Sequence, residues 1–330
     1  MTGHLRGTEF VIAVDSGGTS TRVGCFGLDG TLLSRAAGRG GAAHHDDQAA
    51  VNLREAISTA LAAGDLAPDG ACGLAVGVAG IGRAGSNQGG GTAEWADAFY
   101  PLPFLRCPRV FVNDAVIAHR GALLGHPGVV VVAGTGSMIL AIDEHGAEVE
   151  SGQFEHYAGG ARHLVFDVVH DVLRGRATRA DGELLERILR HWGAADLAGL
   201  RSALLAHASL DRNVVKRRYG DLAPTVTALA DSSPSADRAL RALTDRTACG
   251  VHLLAPFAGA APVSVGLTGS LACDPAFSAR LGDSLDLPGT TPARVVTSAL
   301  SPLGGAALLA YEESGITAGP DVVERLRTAT

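Results

Sequence analysis

Two short turns of the same design carry the residues of this sequence that are best suited to chemistry. Each turn combines glycine with serine or threonine, follows a run of β-branched residues and precedes a second apolar run. Such turns expose several backbone N–H groups and add small hydroxyls, which together suit phosphate oxygens. The repetition predicts a duplicated scaffold that binds one phosphorylated ligand from both sides. The two turns are Gly17-Gly18-Thr19-Ser20 and Gly134-Thr135-Gly136-Ser137.

Two carboxylates lie at the ends of predicted strands, where ligands bind in α/β sheets. Asp15 is separated from the first turn only by Ser16, and its natural role beside phosphate is to hold Mg²⁺ through water. A purely turn-forming aspartate is the alternative. Asp114 stands between a strand and a helix, where it could accept the proton of a hydroxyl that attacks phosphate. Taken alone, Asp114 is better interpreted as a helix N-cap, and the two roles are compatible.

Two further patterns are weaker. The glycines at 80, 82 and 85 match a dinucleotide-binding fingerprint, but residues 86–91 cannot open the amphipathic helix that this site needs, which favours a flexible loop. The stretch 44–47 and the histidines at 156, 163 and 170 could be read as metal ligands. Because they lack cysteine partners and HExxH spacing, we interpret them as solvated loop and helix-face residues.

Composition excludes several classes of protein. The 330 residues are 46% hydrophobic and 18% charged, which is typical of a soluble globular protein. A net charge of -7 without a basic stripe argues against nucleic acid as a partner. Lys216 is the single lysine and follows no glycine loop, so a GxxxxGK[ST] phosphate loop is excluded. Five scattered cysteines indicate reduced thiols, and without a leader or long apolar run we expect a cytoplasmic protein with no membrane partner.

Hydrophobic periodicity predicts two repeats of three strands followed by a helix. The repeats meet near residue 117, so we expect one domain over 1–116 with about 304–330, and a larger one over 117–303 with a mostly helical insertion. Aspartates at 181, 196 and 211 and Ser235 are plausible helix starts. The predicted strands are 9–15, 20–27, 31–36, 72–78, 108–112, 263–267 and 294–297, and the helices outside the insertion include 49–62 and 115–124.

With these motifs in this order, the chain resembles the N-acetylglucosamine kinase and BadF/BadG-type ATPase branch of the sugar kinase–actin superfamily. Asp15 with the first turn looks like the superfamily's first phosphate motif, and the second turn looks like its second. Asn113-Asp114-Ala115 is similar to the segment that supplies the general base. Thr268-Gly269-Ser270 is similar to the adenosine motif, with serine where a second glycine is usual, and residues 302–307 look like the closing helix.

The resemblance implies an α/β fold of duplicated ribonuclease H-like (actin-like ATPase) domains with an interdomain cleft. It implies ATP and Mg²⁺ as cofactors, Asp114 as the general base, Asp15 at the metal, and Gly269 and Ser270 beside the nucleoside. The expected reaction is phosphorylation of a hydroxyl of N-acetylglucosamine or a related amino sugar or sugar-like alcohol. A homodimer is also implied.

Two departures from the family concern the sugar. After the second hairpin the family usually has Gly-Trp-Gly and then Gly-Asp-Glu-Gly-Ser, but residues 151–160 here lack the acidic pair. Near residue 44 the family often has an asparagine that touches the sugar. We therefore expect intact ATP handling and a rebuilt acceptor pocket, because lost hydrogen-bonding groups discriminate strongly against the original substrate. The candidate substrate-binding residues are Asn113, His44, Gly152, Glu155, His156 and Tyr157.

Four alternatives remain open at this point. The acceptor could be an unusual amino sugar or aminocyclitol of secondary metabolism. An activator ATPase of the BadF type would need cysteines placed to hold an iron–sulfur cluster between subunits, and this sequence has no such arrangement. A non-catalytic sugar sensor would keep the fold without the chemistry, which the presence of Asp15 and Asp114 argues against. A nicotinamide-dependent oxidoreductase would use residues 80–85.

Overall fold

The computed structural model describes residues 8–42, 48–81 and 92–330. The chain divides into two compact units. Unit 1 comprises Met1–His126 and Ser298–Thr330, and unit 2 comprises Pro127–Thr297. The sequence places the domain boundary near residue 117, whereas the first segment of unit 1 continues to His126.

Unit 1 contains a five-stranded mixed sheet in the order β3-β2-β1-β4-β5. The first three strands are antiparallel neighbours, and β1, β4 and β5 run parallel. The turn Asp29-Gly30 joins β2 to β3, and Gly30 adopts a φ of 89° there, which glycine tolerates without strain. The strands are β1 (Phe10–Ser16), β2 (Ser20–Gly27), β3 (Leu32–Arg39), β4 (Ala71–Val78) and β5 (Arg109–Asn113).

Unit 2 repeats this topology. Its sheet has the order β10-β9-β6-β7-β8, with β6, β7 and β8 antiparallel and β6, β9 and β10 parallel. The strands are β6 (Gly128–Ala133), β7 (Ser137–Ile142), β8 (Glu148–Glu150), β9 (Val263–Thr268) and β10 (Ala293–Val296). Each sheet therefore has three antiparallel strands and two further strands that run parallel to the first strand of the unit. The predicted duplicated ribonuclease H-like α/β fold is confirmed.

Helices cover the faces of both sheets. In unit 1 they are α1 (Ala49–Ala63), α2 (Thr92–Phe99), α3 (Asp114–Leu123), α11 (Pro302–Glu313) and α12 (Pro320–Ala329). In unit 2 they are α4 (Ala161–Leu173), α5 (Gly182–Trp192), α6 (Leu197–His207), α7 (Arg212–Gly220), α8 (Ala223–Ala228), α9 (Pro234–Leu254) and α10 (Pro275–Leu285). None of the helices in the described part of the chain combines the length and apolar composition that crossing a bilayer requires.

Alternation along β1 divides the core of unit 1 into two layers. Phe10, Ile12 and Val14 pack in the layer that contains α1, whereas Val11 and Ala13 pack in the layer that contains α3 and α11. This alternation is the period of two expected of a strand that is buried on both faces. Tyr100 belongs to the first of these layers and is 1% exposed.

The close packing of α3 on α11 explains why α3 stays whole in unit 1. A Cβ atom on Gly305 would lie 2.0 Å from the carbonyl oxygen of Ile117, and one on Gly121 would lie 2.3 Å from that of Ser301. Glycine at these two positions lets the backbones approach closely. A domain boundary near residue 117 would cut through this contact.

The insertion in unit 2 is helical, as predicted, and side-chain caps mark the starts of α6 and α9. Asp196 caps α6 by accepting the Gly199 N–H at 2.7 Å. Ser235 was a wrong prediction for the start of α9. Ser233 is the cap, because proline at 234 occupies the first helical position, where its missing N–H costs nothing.

Candidate functional site

The first turn closes on itself at the carboxyl end of β1. The Gly17 N–H donates to the Ser20 carbonyl at 2.9 Å, and below it the buried hydroxyls of Ser16 and Thr21 are 2.8 Å apart. The N–H groups of Gly18 and Thr19 donate to no acceptor among the described residues. Two adjacent unused amides form the kind of concave donor site that binds anions.

The second turn has the same arrangement in unit 2. The Gly134 N–H donates to the Gly136 carbonyl at 3.0 Å, and the amides of Thr135 and Gly136 have no acceptor within the described part of the chain. The start of α4 holds the turn from the other side, because the Ala161 N–H donates to the Gly134 carbonyl at 2.8 Å. The carbonyls of the turn are thus engaged by protein, and its amides remain for a ligand.

Two glycines let other segments approach the second turn. A Cβ atom on Gly160 would lie 2.2 Å from the Gly136 carbonyl oxygen. Gly269 has a φ of 94°, and a Cβ atom there would lie 2.5 Å from the Ala133 carbonyl oxygen. The same oxygen accepts the Leu271 N–H at 3.0 Å. The structure therefore places the predicted nucleoside turn directly beside the second turn. Ser270, next to Gly269, is exposed.

A glycine pair directly after β3, Gly40 and Gly41, supports the first turn. A Cβ atom on Gly40 would lie 2.5 Å from the Gly18 carbonyl oxygen. The Tyr100 hydroxyl donates to the Gly41 carbonyl at 2.6 Å, and the Asn52 amide donates to that of Gly40 at 2.8 Å. Two adjacent glycines directly after a strand were the available signal for this close approach.

Asp15 is mostly buried at the end of β1 but keeps 18% of its side chain exposed. Its Oδ2 lies 3.3 Å from Nη1 of Arg22 on the neighbouring strand. Burial raises the pKa of Asp15, and the Arg22 guanidinium opposes this shift. Ionisation of the Asp15 carboxyl group is therefore energetically unfavourable in the folded protein. The group is nevertheless accessible at the edge of the sheet.

The cap of α3 is Asn113, so the interpretation of Asp114 as the N-cap is wrong. The Asn113 side-chain oxygen accepts the Ala115 N–H at 2.9 Å, and its Nδ2 donates to the Ile81 carbonyl at 2.9 Å. Asp114 is the first helical residue and is half-buried. Asn113, a predicted substrate contact, is buried. Both the oxygen and the nitrogen of its side-chain amide already make hydrogen bonds within the protein.

The two carboxylates lie at the same edge of the unit 1 sheet. Ser16, Val78 and Asn113 are in register across the parallel strands β1, β4 and β5. Strands are spaced about 4.8 Å apart, so the carboxyl ends of β1 and β5 are about 10 Å apart. Asp15 precedes Ser16 and Asp114 follows Asn113, so both carboxylates lie at the sheet edge that also carries the first turn.

The altered segment 151–160 is held against α9. His156 Nε2 lies 2.7 Å from the Arg246 carbonyl oxygen, and Arg246 Nε donates to the Ala158 carbonyl at 3.1 Å. Glu155 is exposed in a left-handed conformation with φ 52°, and Tyr157 is 73% exposed. A Cβ atom on Gly152 would lie 3.6 Å from the Tyr157 ring. Of these four predicted acceptor residues, Glu155 and Tyr157 have side chains open to solvent.

Two sequence motifs fall on parts of the chain that the structure does not describe. His44 lies outside the described residues, and so do residues 82–91, which include most of the dinucleotide-like glycine pattern. Across the described ranges, no group of three or more histidine, cysteine, aspartate or glutamate side chains is placed to hold a metal.

Solved structures of the same fold include several proteins described as sugar kinases. A proposed N-acetylglucosamine kinase of Chromobacterium violaceum is 24% identical, with a TM-score of 0.63 over 92% of this chain and 99% of its own. Another from Porphyromonas gingivalis is 19% identical, with a TM-score of 0.64 over 92% and 98%. A ROK family glucokinase of Streptomyces griseus, in complex with glucose and AMPPNP, is 19% identical, with a TM-score of 0.55 over 92% and 99%.

Sequence comparison identifies the family. No curated protein matches this chain. The model of the BadF/BadG/BcrA/BcrD ATPase family matches residues 12–310, from within β1 to within α11. The chain belongs to this family.

Proposed function

We propose that this member of the BadF/BadG/BcrA/BcrD ATPase family is an ATP-dependent kinase that phosphorylates a hydroxyl of a sugar or sugar-like alcohol. The observation that carries the proposal is the pair of equivalent turns, each with two consecutive N–H groups that have no acceptor among the described residues. Phosphate groups are the ligands that such turns suit. The family match and the fold shared with sugar kinases support ATP as the source of these phosphates.

The two turns would bind the β- and γ-phosphates of ATP. Gly17, Gly18, Thr19 and Ser20 form one site, and Gly134, Thr135, Gly136 and Ser137 form the other. Gly269 and Ser270 would border the nucleoside, since they adjoin the second turn through Ala133. Fixed backbone donors cost little reorganisation when charge develops during transfer, so much of the rate acceleration would come from positioning.

Asp15 fits a role at Mg²⁺. Mg²⁺ keeps several waters and is usually held by one or two carboxylates together with substrate phosphates, so one accessible carboxylate beside the turn is sufficient. The bound ion would neutralise phosphate charge. The Arg22 guanidinium partly compensates the negative charge of the Asp15 carboxylate, and 18% of the Asp15 side chain remains exposed.

Asp114 would act as the general base. Because Asn113 caps α3, the Asp114 carboxylate is not needed for that bond. It would take the proton of the acceptor hydroxyl while the acceptor oxygen forms a bond to the γ-phosphorus and the bond from that phosphorus to the β–γ bridging oxygen breaks. ADP leaves with the electron pair of the broken bond, and the phosphorylated acceptor is the second product.

The acceptor is proposed to be N-acetylglucosamine or a related amino sugar or aminocyclitol. Glu155 and Tyr157 are exposed on a segment whose end is anchored beside the second turn, since the Gly159 N–H donates to Ser137 Oγ at 3.0 Å. A carboxylate such as Glu155 suits an acceptor that carries an ammonium group. His156 would shape this segment rather than donate through Nε2, which already contacts Arg246.

An ADP-release assay tests the proposal. Mg-ATP is supplied with hexoses, amino sugars and aminocyclitols, including N-acetylglucosamine, and thermal shift measures stabilisation by ATP and by NADH. We expect ATP stabilisation and turnover of at least one acceptor. ATP binding without turnover across the panel would favour a sugar sensor, and stabilisation by NADH alone would favour an oxidoreductase. A coloured protein with iron absorption would favour the activator ATPase.

A further inference from the structure

Tyr100 follows α2 and reaches the first turn from across the sheet of unit 1. Its side chain is 1% exposed, and its ring stacks on Phe111 of β5 with ring centroids 5.7 Å apart and planes 13° apart. Its hydroxyl donates at 2.6 Å to the carbonyl of Gly41, which lies just beyond the end of β3. Because β3 and β5 are the edge strands of this sheet, one side chain links segments at its two opposite edges.

The glycine pair that this hydroxyl holds is in contact with a donor group of the first turn. A Cβ atom on Gly40 would lie 2.6 Å from the carbonyl carbon of Gly18 and 2.8 Å from the nitrogen of Thr19. Gly40 therefore packs on the peptide group that carries the Thr19 N–H, an amide with no acceptor among the described residues. A Cβ atom on Gly41 would lie 2.5 Å from Ser16 Oγ, so the pair also contacts the layer beneath the turn.

A second buried donor acts on the same glycine pair. Asn52 of α1 is 6% exposed, and its side-chain amide donates to the Gly40 carbonyl at 2.8 Å. Glycine has the widest choice of backbone conformation, so two consecutive glycines form a segment that is held in place mainly by its contacts. The hydrogen bonds from Tyr100 and Asn52 fix both carbonyls of the pair and thereby keep it against the turn.

We propose that Tyr100 is a positioning residue that, through the glycine pair at 40–41, holds the Thr19 N–H in place for a phosphate oxygen. The inference rests on the proposed function, because it requires nucleotide phosphate at the first turn. The stack on Phe111 extends this role, since Phe111 lies on the strand that precedes the proposed base. Loss of a hydrogen bond to a charged group corresponds to roughly a tenfold to hundredfold change in affinity, so a displaced N–H should weaken nucleotide binding measurably.

Two substitutions remove the donors, and a third is the matched control. Tyr100→Phe removes only the hydroxyl and keeps the ring in its stack, and Asn52→Leu removes the other donor with little change in volume. Tyr311→Phe is the control, because the Tyr311 side chain is 0% exposed and its hydroxyl donates to the Gly27 carbonyl at 2.6 Å. That bond has the same chemistry in the same unit, but Gly27 lies at the end of β2 opposite to the first turn. Calorimetry measures the Kd of Mg-AMPPNP, and thermal unfolding measures the Tm of each variant.

We expect similar decreases in Tm for Tyr100→Phe and Tyr311→Phe, since each variant loses one buried hydrogen bond. The Kd should rise roughly tenfold in Tyr100→Phe and in Asn52→Leu and stay unchanged in Tyr311→Phe. An unchanged Kd in Tyr100→Phe overturns the inference. Equal increases in the Kd of the two tyrosine variants also overturn it, because nucleotide affinity would then follow stability alone. Failure of the wild-type protein to bind Mg-AMPPNP rejects the proposed function itself.

Discussion

Asn113 accepts the Ala115 N–H on its side-chain oxygen at 2.9 Å and thereby caps α3 immediately before Asp114. The same amide donates to the Ile81 carbonyl, which ties the end of β4 to the start of the helix. One buried side chain thus fixes the position of the backbone that carries the proposed base. Replacing it measures how much this cap contributes to stability.

Asn113→Ala should lower the free energy of unfolding by about 1–2 kcal/mol, because an N-cap bond is lost. Asn113→Asp is the matched variant, since it keeps a capping oxygen and removes only the donor to Ile81. Urea unfolding measures both. A loss in Asn113→Asp as large as that in Asn113→Ala would show that the cap contributes little.

Gly160→Ala should damage the second turn. A Cβ atom would lie 2.2 Å from the Gly136 oxygen, so the turn or α4 must move, and a displacement near 1 Å can lower turnover roughly 100-fold. Gly282→Ala is the control, because a Cβ atom in that α10 position meets no atom within 4 Å. This control should gain up to about 1 kcal/mol of stability. Equal effects on nucleotide affinity in the two variants would argue against a site at this turn.

Asp15→Asn should raise the thermal stability of the protein and lower its activity. Because burial raises the pKa of Asp15, its ionised form is disfavoured in the folded protein, and a neutral amide should raise the Tm measured at pH 7. Loss of a cation ligand should lower Mg-dependent turnover by roughly two orders of magnitude or more. A variant with full activity across a Mg²⁺ titration would remove Asp15 from the metal site.

Asp181 should contribute to stability in a pH-dependent way. Burial raises its pKa, but bonds from Ser233, Thr178 and Ser235 outweigh this effect and lower the pKa to about 2. The stabilisation is therefore complete above the usual value of 3.8 and is lost as pH falls from about 4 to about 2. Asp181→Asn should lower the free energy of unfolding by about 2 kcal/mol at pH 7, and the difference in this free energy between the variant and wild type should be smaller at pH 3. Urea unfolding at both pH values provides the measurement, and a constant difference would contradict it.

Much of the sheet structure could be predicted from sequence because its signals are local. A β-branched run that ends in a glycine turn defines both β1–β2 and β6–β7. Ser233 rather than Ser235 as the cap of α9 could also have been found, since Pro234 marks the first helical position. Asn113 and Asp114 are both good caps, and their backbone conformations decide between them.

The remaining parts of the site depend on contacts between residues far apart in sequence. Gly40 packs on Gly18, and Gly160 packs on Gly136, only after the strands have paired. Single-sequence patterns carry no information on such pairs, because each depends on tertiary packing.

The most direct test of the central claim compares wild type and Asp114→Asn in an ADP-release assay with an accepted sugar, alongside calorimetry with Mg-AMPPNP. We predict that turnover falls roughly 100- to 10,000-fold, the usual contribution of a general base, while the Kd of the nucleotide stays unchanged. Retained turnover by Asp114→Asn with intact nucleotide binding would contradict the assignment of Asp114 as the base of a phosphoryl transfer.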